Sequence, residues 1–324
     1  MNSITAAEQL PKRAGILGGV AGWLRVMPHP EPVIEISATH VAAAQWKGSH
    51  LQSYGVEPLA TGAVMPSPVE TNVTQPDAVR AAMRRVMSRV GNLSGPVALL
   101  VPDPVVRVFI LPFEDLPRRA EDALPLLRWR LKKSVPFDVE ETAVSWSRQT
   151  ARFGKLEVIA AVARQSIVRE YEALVESCEA KPTVVLSSAL AAVPLLPQTG
   201  STLLLRVAGR TLTTVIVRGS TLCLYRSTEL LAPRAQLASK WVLEEIFPAS
   251  AYFQDTWDET IDRVLLAGIE EDEDLLAAAV ENELKIPVRA LRAAEISGSL
   301  DRGAQELMRK GLDPLAGWMA NAGA

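Results

Sequence analysis

Short apolar runs alternate with helix-period segments along most of the chain. Residues 33–36 (Val-Ile-Glu-Ile) read as a strand and 41–46 as its hairpin mate. Residues 55–75 are rich in Pro, Thr and Ser and read as a loop or an edge strand. Pro76 then opens a helix. Asp77 lies in its first turn, Val79, Met83, Val86 and Val90 line one face, and Gly91 closes it. The wholly apolar run 97–101 fits a buried strand. Pro102-Asp103-Pro104 turns the chain into another strand over 105–111.

Over 116–135, Leu124, Leu127, Leu131 and Val135 line one helix face. Arg128, Arg130, Lys132 and Lys133 lie around the others, and Pro125 sits at the start of the helix proper or kinks it. Strands at 143–149 and 156–162 follow, then a helix over 165–178. This compact α+β unit is inserted into something larger. The strand 183–186 and an Ala/Leu helix return the chain to the first unit. The opening theme then repeats: a hairpin over 202–207 and 211–217, a third run at 222–226, and helices at 235–247 and 249–257. A buried strand at 263–266, an acidic helix at 271–284, a strand at 288–291 and an Ala- and Gly-rich tail complete it. The expected plan is an arm (1–31), a first lobe (32–104 with 180–198), an insertion (105–179) and a second lobe (199–324).

Composition narrows the class. The 324 residues carry 34 basic and 37 acidic side chains, a net charge of −3, so no overall field draws the chain onto nucleic acid. Cys178 and Cys223 are far apart and read as buried thiols in a reducing compartment. His29, His40 and His50 lack the spacing of a zinc site. The uncharged segment 183–205 is long enough to span a bilayer, but Pro194, Pro197, Gln198 and Gly200 would leave its backbone unsatisfied in lipid. The run 14–24 follows Lys12 and Arg13 without a cleavage site. It reads as a mobile arm or as an interfacial helix on the inner membrane, and in both cases the body is expected in the cytoplasm.

Few constellations suggest chemistry. Glu140-Glu141 and Asp272–Asp274 are adjacent in sequence and do not form a facing dyad. Ser187-Ser188 lies between a strand and a helix without a nucleophile elbow. The basic group Arg118, Arg119, Arg128, Arg130, Lys132 and Lys133 reads as a solvated helix face, or as a surface for anionic headgroups or an acidic partner.

The stretch 111–146, LPFEDLPRRAEDALPLLRWRLKKSVPFDVEETAVSW, resembles the PilM family of type IV pilus assembly proteins. The resemblance rests on Leu111-Pro112, Glu121, Trp129, Pro136-Phe137, residues 144–146 and Lys181-Pro182. It is specific over about 111–187 and matches in layout over about 33–318. The cytoplasmic part of the type II secretion protein GspL is similar in kind. The resemblance implies an actin-like fold of two ribonuclease H-like halves, with a small α+β subdomain in the first lobe. It implies a cytoplasmic protein peripheral to the inner membrane. Its partner would be a PilN-like membrane protein, gripped by its N-terminal cytoplasmic tail. In the family that tail lies in a channel between the first lobe and the insertion, and Val106, Val108, Ile110, Leu124 and Leu127 are the candidates here for such a lining.

Actin-like ATPases hold phosphate with two hairpins, the first carrying Asp-Ile-Gly-(small)-Ser-x-x-Lys. There the Asp organises magnesium, the Gly admits phosphate to the backbone, and Ser and Lys contact oxygens. The matching positions here are Glu35, Ser37 and Thr39, with no Lys before Lys47. The second hairpin normally opens Asp-x-Gly; here Arg206 replaces the acid, followed by Gly209 and Thr211. The adenosine motif normally carries paired glycines, of which Gly268 alone stands. All three motifs depart together. The expectation is a non-catalytic scaffold with a vestigial cleft and no cofactor, magnesium-ATP being disfavoured. The alternatives are an active or weak ATPase of pilus assembly and a GspL-like secretion component.

Overall fold

The computed structural model describes residues 19–48, 50–91, 93–230, 239–269, 273–293 and 301–322. Two five-stranded sheets with the same strand plan form its body. In the first, β1 (Val33–Ile36), β2 (His40–Lys47) and β3 (His50–Pro58) make an antiparallel meander. β4 (Gly95–Val101) and β8 (Ala180–Ser187) extend it in parallel, in the order β3-β2-β1-β4-β8. In the second, β9 (Ser201–Ala208), β10 (Thr211–Arg218) and β11 (Thr221–Glu229) repeat the meander. β12 (Arg263–Ala267) and β13 (Val288–Ala290) add in parallel, in the order β11-β10-β9-β12-β13. Parallel strands need both faces covered, and the burial of every residue of β1 and the apolar run of β4 reflects that.

Three strands between β4 and β8 form a separate sheet. β5 (Arg107–Phe113), β6 (Thr142–Thr150) and β7 (Leu156–Arg164) pair antiparallel in the order β5-β7-β6. Alternation sorts the side chains of β5. Val106, Val108 and Ile110 join the core of the first lobe, while Phe109, Leu111 and Phe113 join a smaller core under α3 (Ala120–Leu131). That second core is Ala123, Leu127 and Leu131 on Val144, Trp146, Val158, Ala160 and Val162.

The helices hold several departures from the sequence reading. α2 (Pro76–Val90) is the predicted helix. α3 is shorter than 116–135: Leu116 and Val135 are buried against its core from flanking loops, which is why their apolar period looked continuous. α4 (Gln165–Glu176) and the short α5 (Ser188–Ala192) bracket β8. The helices expected on either side of Pro248 are one, α6 (Ser239–Trp257). Pro248 faces solvent while Ile246, Ala249 and Phe253 hold the helix to the second lobe's core. Residues 235–238 of that expected helix lie outside the described residues, as do 271 and 272 of the acidic helix, observed as α7 (Glu273–Leu284). The edge strand β3 begins earlier than the loop-like stretch 55–75; its alternating exposure hides it from an apolar scan.

Both terminal regions are more ordered than the sequence suggests. Residues 1–18 of the expected arm lie outside the described residues, but Gly19–Val26 form α1. Val20, Trp23 and Leu24 are buried in the main core, and the Val20 amide donates to the Ser220 carbonyl at 3.0 Å. The Ala- and Gly-rich tail forms α8 (Arg302–Arg309) and α9 (Asp313–Ala322). These pack into the first lobe's core through Leu307, Leu312, Leu315 and Trp318 rather than staying with the second lobe. A Cβ at Gly317 would lie 2.1 Å from the Ala191 carbonyl oxygen, so only glycine permits α9 to approach α5 this closely.

Docking of α1 sets a stability test. Leu24→Ala is expected to cost about 2–5 kcal/mol, as for a buried core leucine, in urea-unfolding experiments. A change within about 0.5 kcal/mol would mean that the segment behaves as a solvated arm.

Candidate functional site

The two sheets bring one end of β1 and one end of β9 together. Glu35 pairs with Ala42 across the first hairpin, and Arg206 pairs with Thr213 across the second, so the two hold equivalent positions in the repeated plan. Both side chains are buried. The Arg206 guanidinium reaches Glu35 at 3.5 Å (Nη2–Oε1), Asp103 at 3.4 Å (Nη1–Oδ2) and Asp313 at 2.9 Å (Nε–Oδ2). One cation therefore sits among three carboxyl groups from β1, the turn after β4 and the start of α9.

Further donors complete the cluster. Ser188 Oγ donates to Glu35 Oε1 at 2.7 Å, and His40 Nε2 lies 3.5 Å from Glu35 Oε2. Asp103 accepts from the Ala189 amide at 2.7 Å, which ties it to the first turn of α5, and from Thr213 Oγ1 at 2.8 Å. Beside it, the hydroxyl of the half-buried Tyr225 meets Ser187 Oγ at 2.9 Å. Burial and the Asp103 charge push the Tyr225 phenol well up.

The acid–base consequences follow from burial and partners. Burial alone would push the Glu35 carboxyl up. The close approach and charge of His40, the charge of Arg206 and the Ser188 hydroxyl outweigh it and hold the group below its ordinary range. Burial opposes the Arg206 charge, but Asp313, Asp103 and Glu35 outweigh it and raise its affinity for the proton. Asp313 is pushed up, by burial first and by the Glu35 charge, with Arg206 offsetting only part.

The residues aligned with the phosphate hairpins are engaged with one another. Ser37 Oγ accepts from the His40 amide at 2.9 Å and the Thr39 amide at 3.2 Å, and donates to the His40 carbonyl at 3.0 Å. It thereby closes the β1–β2 turn, with Thr39 Oγ1 3.4 Å away. Gly209 turns the second hairpin, and a Cβ there would lie 3.2 Å from the Ala38 Cβ. The two turns are thus in direct contact. Thr211 is buried at the start of β10. Among the described residues, no cluster of three or more His, Cys, Asp or Glu is arranged to hold a metal ion. A guanidinium among the acids, and turns in contact with each other, do not fit a magnesium-bound triphosphate between the hairpins.

Gly268 adopts φ +71, and a Cβ there would lie 2.0 Å from the Val207 carbonyl oxygen. Its glycine is required by the close approach of β9 to the end of β12, independently of any ligand. Beside it lies a cavity of about 330 Å³ floored by Leu266, Leu291 and Met308, with Arg292, Arg309 and Lys310 in its wall.

The five candidate lining residues do not converge on one channel. Val106, Val108 and Leu127 are buried, and Ile110 and Leu124 are half-buried. Strand alternation puts Val108 and Ile110 on the face of the insertion sheet toward the lobes, whereas Leu124 and Leu127 lie on the α3 side. Sequence reasoning missed Asp103 and Asp313. Asp103 was read as part of a turn and Asp313 lies in the tail. The available signal was Arg206 itself, since an arginine inside an apolar strand requires buried acids.

Replacing Arg206 tests the cluster. Arg206→Met is expected to cost about 3–5 kcal/mol at neutral pH, because three buried carboxyls lose their cation. In the parent, the low Glu35 value gives stability that is present above the ordinary carboxylate range and lost as pH falls through it. Asp313 has the opposite sign: its raised value favours folding at low pH and weakens it as pH rises. Without Arg206, burial raises Glu35 as well, so both groups favour the folded state on acidification. The deficit of the variant should therefore narrow between about pH 7 and pH 5, measured by urea unfolding. A deficit independent of pH would contradict the cluster.

No protein-family model matches the sequence, and no curated protein matches it. Solved structures match its fold. A chain of the PilM–PilN type IV pilus biogenesis complex aligns with a TM-score of 0.69 and 14% identity, over 92% of this chain and 100% of that one. The cytoplasmic domain of EpsL, an inner-membrane component of the type II secretion system of Vibrio cholerae, aligns at TM-score 0.45 and 12% identity. That alignment covers 82% of this chain and 99% of that domain. A Bacteroides thetaiotaomicron protein with an actin-like ATPase fold and unknown function aligns at 0.45 and 12%, over 79% of this chain and 89% of that one. The fold is the actin-like one that the resemblance at 111–146 implies.

Proposed function

We propose that this chain is a non-catalytic, actin-like scaffold of type IV pilus assembly that holds the N-terminal cytoplasmic tail of a PilN-like inner-membrane protein. The observation that carries the reading is the full-length fold likeness to a chain of the PilM–PilN complex. The Arg206 cluster supports its non-catalytic half. A guanidinium among Glu35, Asp103 and Asp313 supplies internally the positive charge that a metal would otherwise bring. The scaffold is then independent of nucleotide. Its place is cytoplasmic and peripheral to the inner membrane; no helix among the described residues is long and apolar enough to cross one.

Recognition of an extended tail has a physical basis in the insertion. β5 is an edge strand, paired to β7 on one side. Ile110 lies on it, half-buried, on the face toward the lobes. A peptide laid along such an edge gains main-chain hydrogen bonds, and side chains such as Ile110 give it apolar contacts.

Calorimetric titration with the N-terminal cytoplasmic peptide of the PilN homologue from the same genome tests this, with and without magnesium-ATP. Saturable binding indifferent to nucleotide is expected. Ile110→Ser should weaken it by about tenfold, equivalent to about 1.4 kcal/mol, with the thermal midpoint measured alongside. Binding that requires ATP would overturn the non-catalytic reading, and no binding in either condition would overturn the partner.

A further inference from the structure

We propose that the outward face of α3 is a docking surface for an anionic lipid bilayer. The inference does not depend on the peptide partner. It begins with one side chain. Trp129 is 73% exposed, in the last turn of a helix whose other face is packed into a core. An indole left in water loses its large apolar payload, and exposed tryptophans concentrate where one side is apolar and the other wet.

Helical geometry gives Trp129 its company. Ala123, Leu127 and Leu131 face the insertion sheet. At 100° per residue the opposite side carries Pro125, Leu126 and Trp129, and Lys132 and Lys133 follow at the helix end, all exposed. Leu126 lies one turn before Trp129, and the two lysines lie one turn after it. Lysine stems can lie along an apolar surface while their ammonium groups reach the headgroups. Between Arg118 and Lys133 there are six cations and two acids, in a chain whose net charge is −3. The acids, Glu121 and Asp122, occupy the first turn of α3 on the same outward side, two or more turns before Trp129 and the lysines, where negative charge suits the helix dipole.

Local helix stability explains only part of this pattern. Cations in the last turn suit the helix dipole, but Arg118 and Arg119 precede the first turn, where positive charge is unfavourable. Arg128 is engaged with Glu140 at 3.3 Å and Arg119 approaches Glu121 at 3.7 Å. Among the described residues no ion pair involves Arg118, Arg130, Lys132 or Lys133. Neither dipole nor ion pairing accounts for Trp129 or Leu126.

The shape favours a bilayer over an acidic protein. The surface is the convex outward side of one helix about 18 Å long. A convex stripe with a central indole and flanking lysines fits a planar interface, the indole at the headgroup boundary and the cations against anionic phosphates. By contrast Phe153, another exposed aromatic, lies alone at a turn with Arg152 stacked on its ring at 4.5 Å.

Co-sedimentation of the full chain with large unilamellar vesicles tests the proposal. One set is phosphatidylcholine alone, the other equal parts phosphatidylcholine and phosphatidylglycerol. Binding is expected only to the anionic vesicles and should fall as salt rises, since screening shortens the reach of the charges. Trp129→Ala should reduce binding by about tenfold. The double variant Lys132→Glu, Lys133→Glu should abolish it. All three side chains are exposed, so Trp129→Ala should keep the parent thermal midpoint and the double variant, which opposes the dipole at the end of α3, should lose no more than about 2–4 °C; a midpoint within that range makes a loss of binding interpretable. Absence of parent binding to anionic vesicles would overturn the proposal. So would binding that survives both variants, or binding lost with the lysines but untouched by Trp129→Ala, the behaviour of a cationic patch made for an acidic protein.

Discussion

The arrangement of the two lobes turns on one buried guanidinium. Repetition of the same sheet plan sets equivalent positions of the two first hairpins face to face, Glu35 in one and Arg206 in the other. Acids at both positions would repel and would need a cation between them. An arginine at one turns the repulsion into attraction and needs nothing from solution. A bound ion stabilises according to its concentration, whereas a cation carried on β9 is present at every concentration. The geometry also recruits Asp103 and Asp313, so strands of both lobes and helix α9 meet at one charge.

Other contacts work in the same direction. Gln149 at the end of β6 exchanges two hydrogen bonds with the backbone of Leu222 on β11, at 2.7 and 3.1 Å. The insertion is thereby fixed to the second lobe as well as to the first. α1 shares one continuous core with residues of all three sheets. A cleft that opens and closes with a ligand would have to break these contacts together, including the desolvated charges.

The parallel strands were legible because burial on both faces leaves continuous apolar runs, as in 97–101 and 263–266. Helix α2 was legible because its period, proline and glycine agree. The edge strand β3 was legible only at its end, where 55–58 fall in the stretch read as a loop or an edge strand, because half of it faces water. The terminal helices were misread because small residues are poor helix signals in isolation. Gly317 makes sense only when the Ala191 carbonyl it meets is known. At the site, Glu35, Ser37 and Arg206 stood out in the sequence as departures from an expected motif. The ionic cluster that gathers Glu35 and Arg206 did not, since Asp103 and Asp313 are separated from Arg206 by more than a hundred residues in chain order. The alternation along β5, which parts Ile110 from Leu124, was available but needed the sheet to show which face mattered.

Trp318 closes the molecule on a segment 288 residues earlier. Its indole Nε1 donates to the Pro30 carbonyl at 3.3 Å, and its ring lies 4.9 Å from that of His29. During synthesis the chain emerges in order, at about 5–20 residues per second. The stretch around His29 and Pro30 therefore leaves the ribosome well before its partner exists. For that interval the first lobe lacks α9, and α1 lacks the second lobe and the insertion. The apolar surfaces that these helices later cover stand open to chaperones and to neighbouring nascent chains. The vulnerable period of this protein is thus its own translation, and it ends when residue 318 is free to turn back.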